Sequence, residues 1–175
     1  MIKKIENLIY ESDRGCVIVA AAILDEILAA KIKREAKARG MSNTAISRMM
    51  DMSGPLSNFS SKIYICRAFG LIDENCFHDL LITRKLRNSF AHETDNASFL
   101  NPTTSKKIRS MYFVKDCMKN EHKEILANLQ PNKNIETENP KDWKLISQGL
   151  LPIDKSMFCV ALLKIASALM QKQKD

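Results

Sequence analysis

Arg87, Asn88 and His92 form the pattern R-N-x-x-x-H inside the segment Arg84-Lys85-Leu86-Arg87-Asn88-Ser89-Phe90-Ala91-His92. Metal-free RNA cleavage needs one group to move the 2′-OH proton and another to stabilise charge on the phosphorane. His92, titrating near neutral pH, suits the first task; Arg87, with paired N–H donors, suits the second. On a straight helix, five residues at about 100° each set Arg87 and His92 about 140° apart. Asn88 and His92 instead share a face with Arg84. Convergence of Arg87 with His92 therefore needs the helix to bend or end before His92, or two subunits to assemble one site. Residues 91–96 read as a helix fading into a loop, which permits the first. The competing structural role pairs Arg87 with an internal carboxylate, Asp13, Asp25 or Asp79, and leaves Asn88 and His92 capping backbone groups.

Other patterns offer less. Residues 45–53 read like the first helix and turn of a helix-turn-helix, with a second helix from Leu56 onward. In the ungapped register, however, the seats of a recognition helix fall on Ser57 and Ser60, and Gly54-Pro55 makes an unusual turn. The stretch 31–39 holds Lys31, Lys33, Arg34, Lys37 and Arg39 against Glu35 alone. It reads first as a solvated face and second as a candidate nucleic-acid contact. Trp143 reads as a core anchor rather than a base-stacking platform. His78 and His122 lack ligand-like neighbours. There is no Gly-rich phosphate loop, no G-x-S-x-G and no H-E-x-x-H, which argues against a conventional NTPase, hydrolase or metalloprotease. Cys16, Cys66, Cys76, Cys117 and Cys159 are widely spaced, with no C-x-x-C. They read as small core hydrophobes of a reducing cell, and neither a metal nor a cofactor is expected.

The elements that position these residues are helices. A first one spans residues 2–10, with Ile2, Ile5, Leu8 and Ile9 on one face. Ser12 or Asp13 caps a second that runs to about Arg39, apolar nearly all round at 16–24 and stopped by Gly40. A third fits residues 44–52. Pro55 suits the first turn of a fourth, capped by Ser53 or Gly54, with Leu56, Phe59, Ile63 and Cys66 as its apolar stripe. Ser57, Ser61 and Tyr64 form a more polar stripe beside it. Gly70 closes this helix and Asp73 caps the next, which carries the R-N-x-x-x-H pattern. Asn101-Pro102 opens a helix expected to run to about Gln130. Residues 131–140 are the clearest loop. A last helix covers about 154–170.

Composition agrees. With 175 residues, 45 % hydrophobic and 27 % charged, the chain suits one soluble domain. Five glycines and five prolines are too few for the turns of a sheet-rich fold. The expectation is an all-α, single-domain bundle of about six or seven helices. The apolar run 16–24 is too short to cross a bilayer, and Lys3, Lys4 and Glu6 stand where a signal peptide would be apolar. A cytoplasmic protein follows. A formal charge of +7 would assist a nucleic-acid contact without requiring one.

Three segments in order carry a resemblance. Glu11-Ser12-Asp13-Arg14-Gly15 opens the long helix; Gly54-Pro55-Leu56-Ser57-Asn58-Phe59-Ser60-Ser61-Lys62-Ile63 leads to Ala68-Phe69-Gly70-Leu71-Ile72; Asp79-Leu80 precedes residues 84–92. Over about residues 8–130 this resembles the mannitol operon repressor family of bacterial all-helical proteins. The resemblance implies a transcription regulator of repressor type, without a conventional DNA-reading helix. It also implies a non-enzymatic interaction protein, a homodimer with a protein partner, whose polar cluster of Asp13, Arg14, Ser57, Ser61, Arg87, Asn88 and His92 is structural or a binding pocket for a partner or small ligand. The R-N-x-x-x-H element is similar to that of HEPN domains, helical modules that often dimerise and in many members cleave RNA. That likeness implies an alternative, an endoribonuclease using Arg87 and His92 with Asn88 in support.

Overall fold

The structure is a computed structural model and describes residues 2–92, 97–120 and 153–171. These residues form eight α-helices and no strand: α1 (Ile2–Glu6), continued by a 3₁₀ turn (Asn7–Tyr10), α2 (Asp13–Ala38), α3 (Asn43–Met50), α4 (Phe59–Ala68), α5 (Glu74–His92), α6 (Pro102–Ser110), α7 (Tyr112–Asn120) and α8 (Ile153–Met170). The expected loop at 131–140, Trp143 and His122 lie outside the described residues.

Helix α2 is the axis of the bundle. Ser12 Oγ accepts the N–H of Gly15 at 3.0 Å and so starts the helix where the sequence places a cap. Cys16, Val17, Ala20, Leu24, Ile27 and Leu28 are all buried, because the 3₁₀ turn, α3, α4, α5 and α8 pack around them. Each large aliphatic side chain withdrawn from water in this way contributes about 1.5–3 kcal/mol. The helix ends on Gly40 at φ +83°, where Gly40 N–H donates to Lys37 and Met41 N–H donates to Ala36. Gly70, at φ +65°, ends α4 with the same paired bonds to Arg67 and Cys66. Both positions need the left-handed backbone that glycine adopts without steric cost.

Two boundaries differ from expectation. Helix α4 begins at Phe59, capped by Asn58, whose Oδ1 accepts the Ser61 N–H at 2.8 Å. Pro55 lies in the preceding turn instead of the helix, and α3 stops at Met50. The cause is Gly54, which packs onto the end of α3 so closely that a Cβ would stand 2.3 Å from the Arg48 carbonyl oxygen. Leu56 N–H then donates to the Met49 carbonyl at 2.9 Å and holds the connection back across α3. The second correction is the helix expected to run from Pro102 to Gln130. It breaks at the buried Met111, and α7 starts afresh because Asp79 accepts the N–H groups of Tyr112 and Phe113 at 2.7 and 2.9 Å. This break raises the helix count above the six or seven expected.

Helix α8 closes the core. Phe158 stacks obliquely on Phe99, and Phe99 on Phe90, each with ring centroids 5.7 Å apart. Lys155, buried, donates to the Glu11 carbonyl and stands 3.4 Å from Asp13 Oδ1, tying α8 to the start of α2. No described helix is long and apolar enough to cross a membrane.

Candidate functional site

Helix α5 is capped by Asp73, whose Oδ1 accepts the Cys76 N–H at 2.7 Å, and remains helical through His92. Leu80, Leu86 and Phe90 face the core. Beside this buried stripe, Arg84, Arg87 and Asn88 line a groove of about 620 Å³. Its floor is Ile18, Ala21 and Ala22 of α2, and its far wall is Ser57, Asn58, Phe59 and Ser60. Arg84 Nη1 donates to Ser60 Oγ at 2.9 Å, and Arg87 Nη1 donates to Asn88 Oδ1 at 3.0 Å. The lining carboxylate, Asp25, has both oxygens held by Lys62 Nζ at 2.7 and 2.8 Å. Two cationic forks therefore share a concave surface whose own carboxylate is already neutralised.

The expected polar cluster divides. Ser57, Arg87 and Asn88 meet in the groove, together with Arg84. Ser61 is half-buried on α4, its N–H taken by the Asn58 cap, and does not line the groove. Asp13 lies elsewhere: its Oδ2 accepts Ser98 Oγ and Phe99 N–H, both at 3.0 Å, while Lys155 approaches Oδ1. Arg14, next to it, is exposed. His92 is exposed at the last residue of α5 and does not line the groove. Because α5 stays helical up to His92, the angular separation of Arg87 and His92 persists, and a single chain does not assemble the Arg–His pair. None of the three carboxylates considered for Arg87 takes it either. Asp13 holds Ser98, Phe99 and Lys155; Asp25 holds Lys62; Asp79 caps α7.

The basic stretch also divides. Lys33, Arg34 and Lys37 are exposed, and Arg39 pairs with Glu35 at 2.8 Å on the same surface. Lys31 is no part of that face. It is buried, with Nζ donating to the carbonyls of Leu169 at 3.1 Å and Gln171 at 3.4 Å, where it satisfies the end of α8. Burial lowers its ammonium below the ordinary lysine range, and Arg34 adds repulsion. The helix-turn-helix register fails on length, since residues 51–58 separate α3 from α4.

The thiols of Cys16, Cys66, Cys76 and Cys159 are free and buried, as core hydrophobes should be; the Cys117 side chain lies outside the described residues. Burial pushes Cys66 up to about 11 and Cys76 up to about 12. Cys16 is raised as well, first by its contact with Cys159, whose Sγ lies 3.8 Å away. Among the described residues no group of three His, Cys, Asp or Glu could hold a metal ion.

Sequence reasoning missed Lys62, Lys155 and the capping role of Asp79. A signal for Lys62 was present: it falls on the apolar stripe between Phe59 and Cys66, so helical spacing alone points it inward.

None of the curated proteins matches the chain significantly. The fold is similar to that of MtlR in the X-ray structure of the MtlR–HPr complex from Escherichia coli. That likeness has a TM-score of 0.66 at 17 % identity and covers 95 % of this chain and 96 % of that one. It is also similar to YggD, a possible transcriptional regulator from Shigella flexneri 2a str. 2457T. There the TM-score is 0.69 at 12 % identity, over 97 % of this chain and 99 % of that one. The family model described as Mannitol repressor matches residues 6–150, beyond the segment that carries the sequence resemblance at both ends. With its all-helical bundle and that match over most of its length, the chain belongs to the mannitol repressor family, a family of repressor-type regulators.

Proposed function

We propose that this repressor-type regulator works in the cytoplasm as a homodimer that holds a protein partner, without a projecting helix that reads bases. The observation that carries the reading is Tyr64 on the outer side of α4. It is 51 % exposed and rests edge-on against Phe77 of α5, with ring centroids 5.6 Å apart. Phe69, at the end of the same helix, is 60 % exposed. Large aromatic side chains held rigidly at a surface supply contact area at low entropic cost and are enriched in protein interfaces. Helix α4 itself is drawn against α2 by Lys62 and by the buried Ile63 and Cys66, which suits a wall of the bundle better than an element inserted into a DNA groove.

The E. coli MtlR neighbour is in complex with HPr, and the proposal extends a partner of that kind to this chain. Calorimetric titration with HPr from the same bacterium tests it. Binding is expected, weakened at least about tenfold by Tyr64→Ala or Phe69→Ala, the loss typical of a truncated interface anchor. The thermal midpoint should barely move, because both side chains are exposed. No heat of binding, or binding indifferent to both substitutions, would overturn the reading. Sedimentation of the purified chain at the mass of two protomers tests the dimer.

A further inference from the structure

We propose that the groove between α2, α4 and α5 binds a small organic phosphate, gripped by Arg84 and Arg87. This goes beyond the partner reading and stands without it. Arg84 and Arg87 are three residues apart on α5, neighbours on one helix face, where like charges repel. Among the described residues neither guanidinium is bonded to a carboxylate: Arg84 donates to a serine hydroxyl and Arg87 to an asparagine carbonyl. Each guanidinium has five N–H donors, so each keeps capacity for a further acceptor. Among the described residues the carboxylate that lines the groove, Asp25, is taken on both oxygens by Lys62. Among the described residues the lining thus carries two positive charges that no carboxylate compensates.

The chemistry of the walls narrows the ligand. A phosphate monoester presents three oxygens and close to two negative charges, enough to engage two planar forks at once. A monocarboxylate satisfies one fork and leaves the other. Ser57 and Ser60 add hydroxyls to the same wall. The floor of Ile18, Ala21 and Ala22 is apolar and close to the arginines, so a bare inorganic ion would leave it uncovered. A phosphate bearing a short carbon body fills both parts. The groove, at about 620 Å³, has the size of a small-molecule site.

The test follows the Arg84 and Arg87 side-chain Nε–H signals by NMR at constant ionic strength. The titrants are glycerol 3-phosphate, inorganic phosphate, succinate, acetate and sodium chloride. Glycerol 3-phosphate should shift both signals saturably and bind more tightly than inorganic phosphate, with succinate and acetate weaker again. Arg87→Ala and Arg84→Ala should each weaken glycerol 3-phosphate at least about tenfold, as loss of a charge-assisted bond does. Arg87→Lys, which keeps the charge and loses the fork, should recover only part. Lys3→Ala, a charge removed from α1, should change nothing. The proposal is overturned if sodium chloride reproduces the shifts, if succinate binds as tightly as the phosphate ester, or if Arg87→Ala binds like wild type. Arg87 is exposed, so that variant keeps its fold even where Arg84→Ala does not.

Discussion

The wholly buried carboxylate of Asp79 accepts the backbone N–H of Tyr112 at 2.7 Å, 33 residues further along the chain. With Phe113 N–H on its other oxygen, it satisfies the start of α7 from a different helix. Asp79→Ala removes both acceptors and leaves the two N–H groups at the start of α7 without them. A loss of about 3 kcal/mol in urea unfolding is expected, with Asp79→Asn losing less because one oxygen remains. A loss below about 1 kcal/mol for the alanine variant would show that α7 does not depend on this cap.

Lys62 and Asp25 join α4 to α2. The lysine is nearly enclosed while Asp25 keeps 31 % of its side-chain surface exposed, so solvent screens part of the attraction. Lys62→Ala should cost about 2 kcal/mol, lower than for a fully enclosed pair. A double-mutant cycle with Asp25→Ala should return a coupling of about 1 kcal/mol. Additive losses would mean that the two side chains do not support each other.

Two glycines should respond differently to alanine. At Gly54 the new Cβ would press on the backbone carbonyls of Arg48 and Met49, which cannot yield as a flexible side chain would. Gly54→Ala should lower stability by about 3 kcal/mol or more. Gly40 has open space around it and only its positive φ at stake, so Gly40→Ala should cost about 1 kcal/mol. Thermal melts of both variants give the comparison, and equal shifts would contradict it.

Lys31 has a folded-state ammonium that deprotonates below its unfolded value of 10.5. Between those two values the unfolded chain binds more protons at this site, so stability attributable to it rises with pH towards 10.5. Wild type should therefore gain on Lys31→Met as pH is raised from 7 to 10, measured by urea unfolding at each pH. A difference that is flat or reversed would contradict the burial of the charge.

The described thiols should resist modification. Thiolates react and thiols do not; with Cys66 pushed up to about 11 and Cys76 up to about 12, almost none is ionised at pH 8. Iodoacetamide labelling read by peptide mass spectrometry should leave Cys16, Cys66, Cys76 and Cys159 unmodified in the native chain and label them in urea. Rapid native labelling of any of the four would place it outside the core.

Local signals were legible in the residues. Ser12, Asp73 and Asn101 cap the helices they announce, and Gly40 and Gly70 end the ones they should, because each acts within a few residues. The break at Met111 was not legible: its cause, Asp79, is a tertiary partner that periodicity within α6 and α7 does not contain. The start of α4 was misplaced because proline chemistry favours Pro55, whereas the close seat of Gly54 on α3 decides. The buried Lys31 was hidden inside a run of surface charges. For the site, helical spacing sets Arg84, Asn88 and His92 on one face, and the first two line the groove while His92 does not. Asp13 was grouped with them although its partners, Ser98 and Lys155, come from segments whose proximity only the folded chain reveals.

Because α8 supplies Phe158, Leu162, Ile165 and Leu169 to the interior and pins Glu11 and Asp13 through Lys155, α8 and the start of α2 are mutually dependent although some 140 residues apart. During synthesis α2 must wait, with greasy flanks uncovered, until the ribosome has released the segment from Ile153 onward. A nonsense codon ahead of that point would yield an incomplete product that chaperones and proteases take before it can regulate anything.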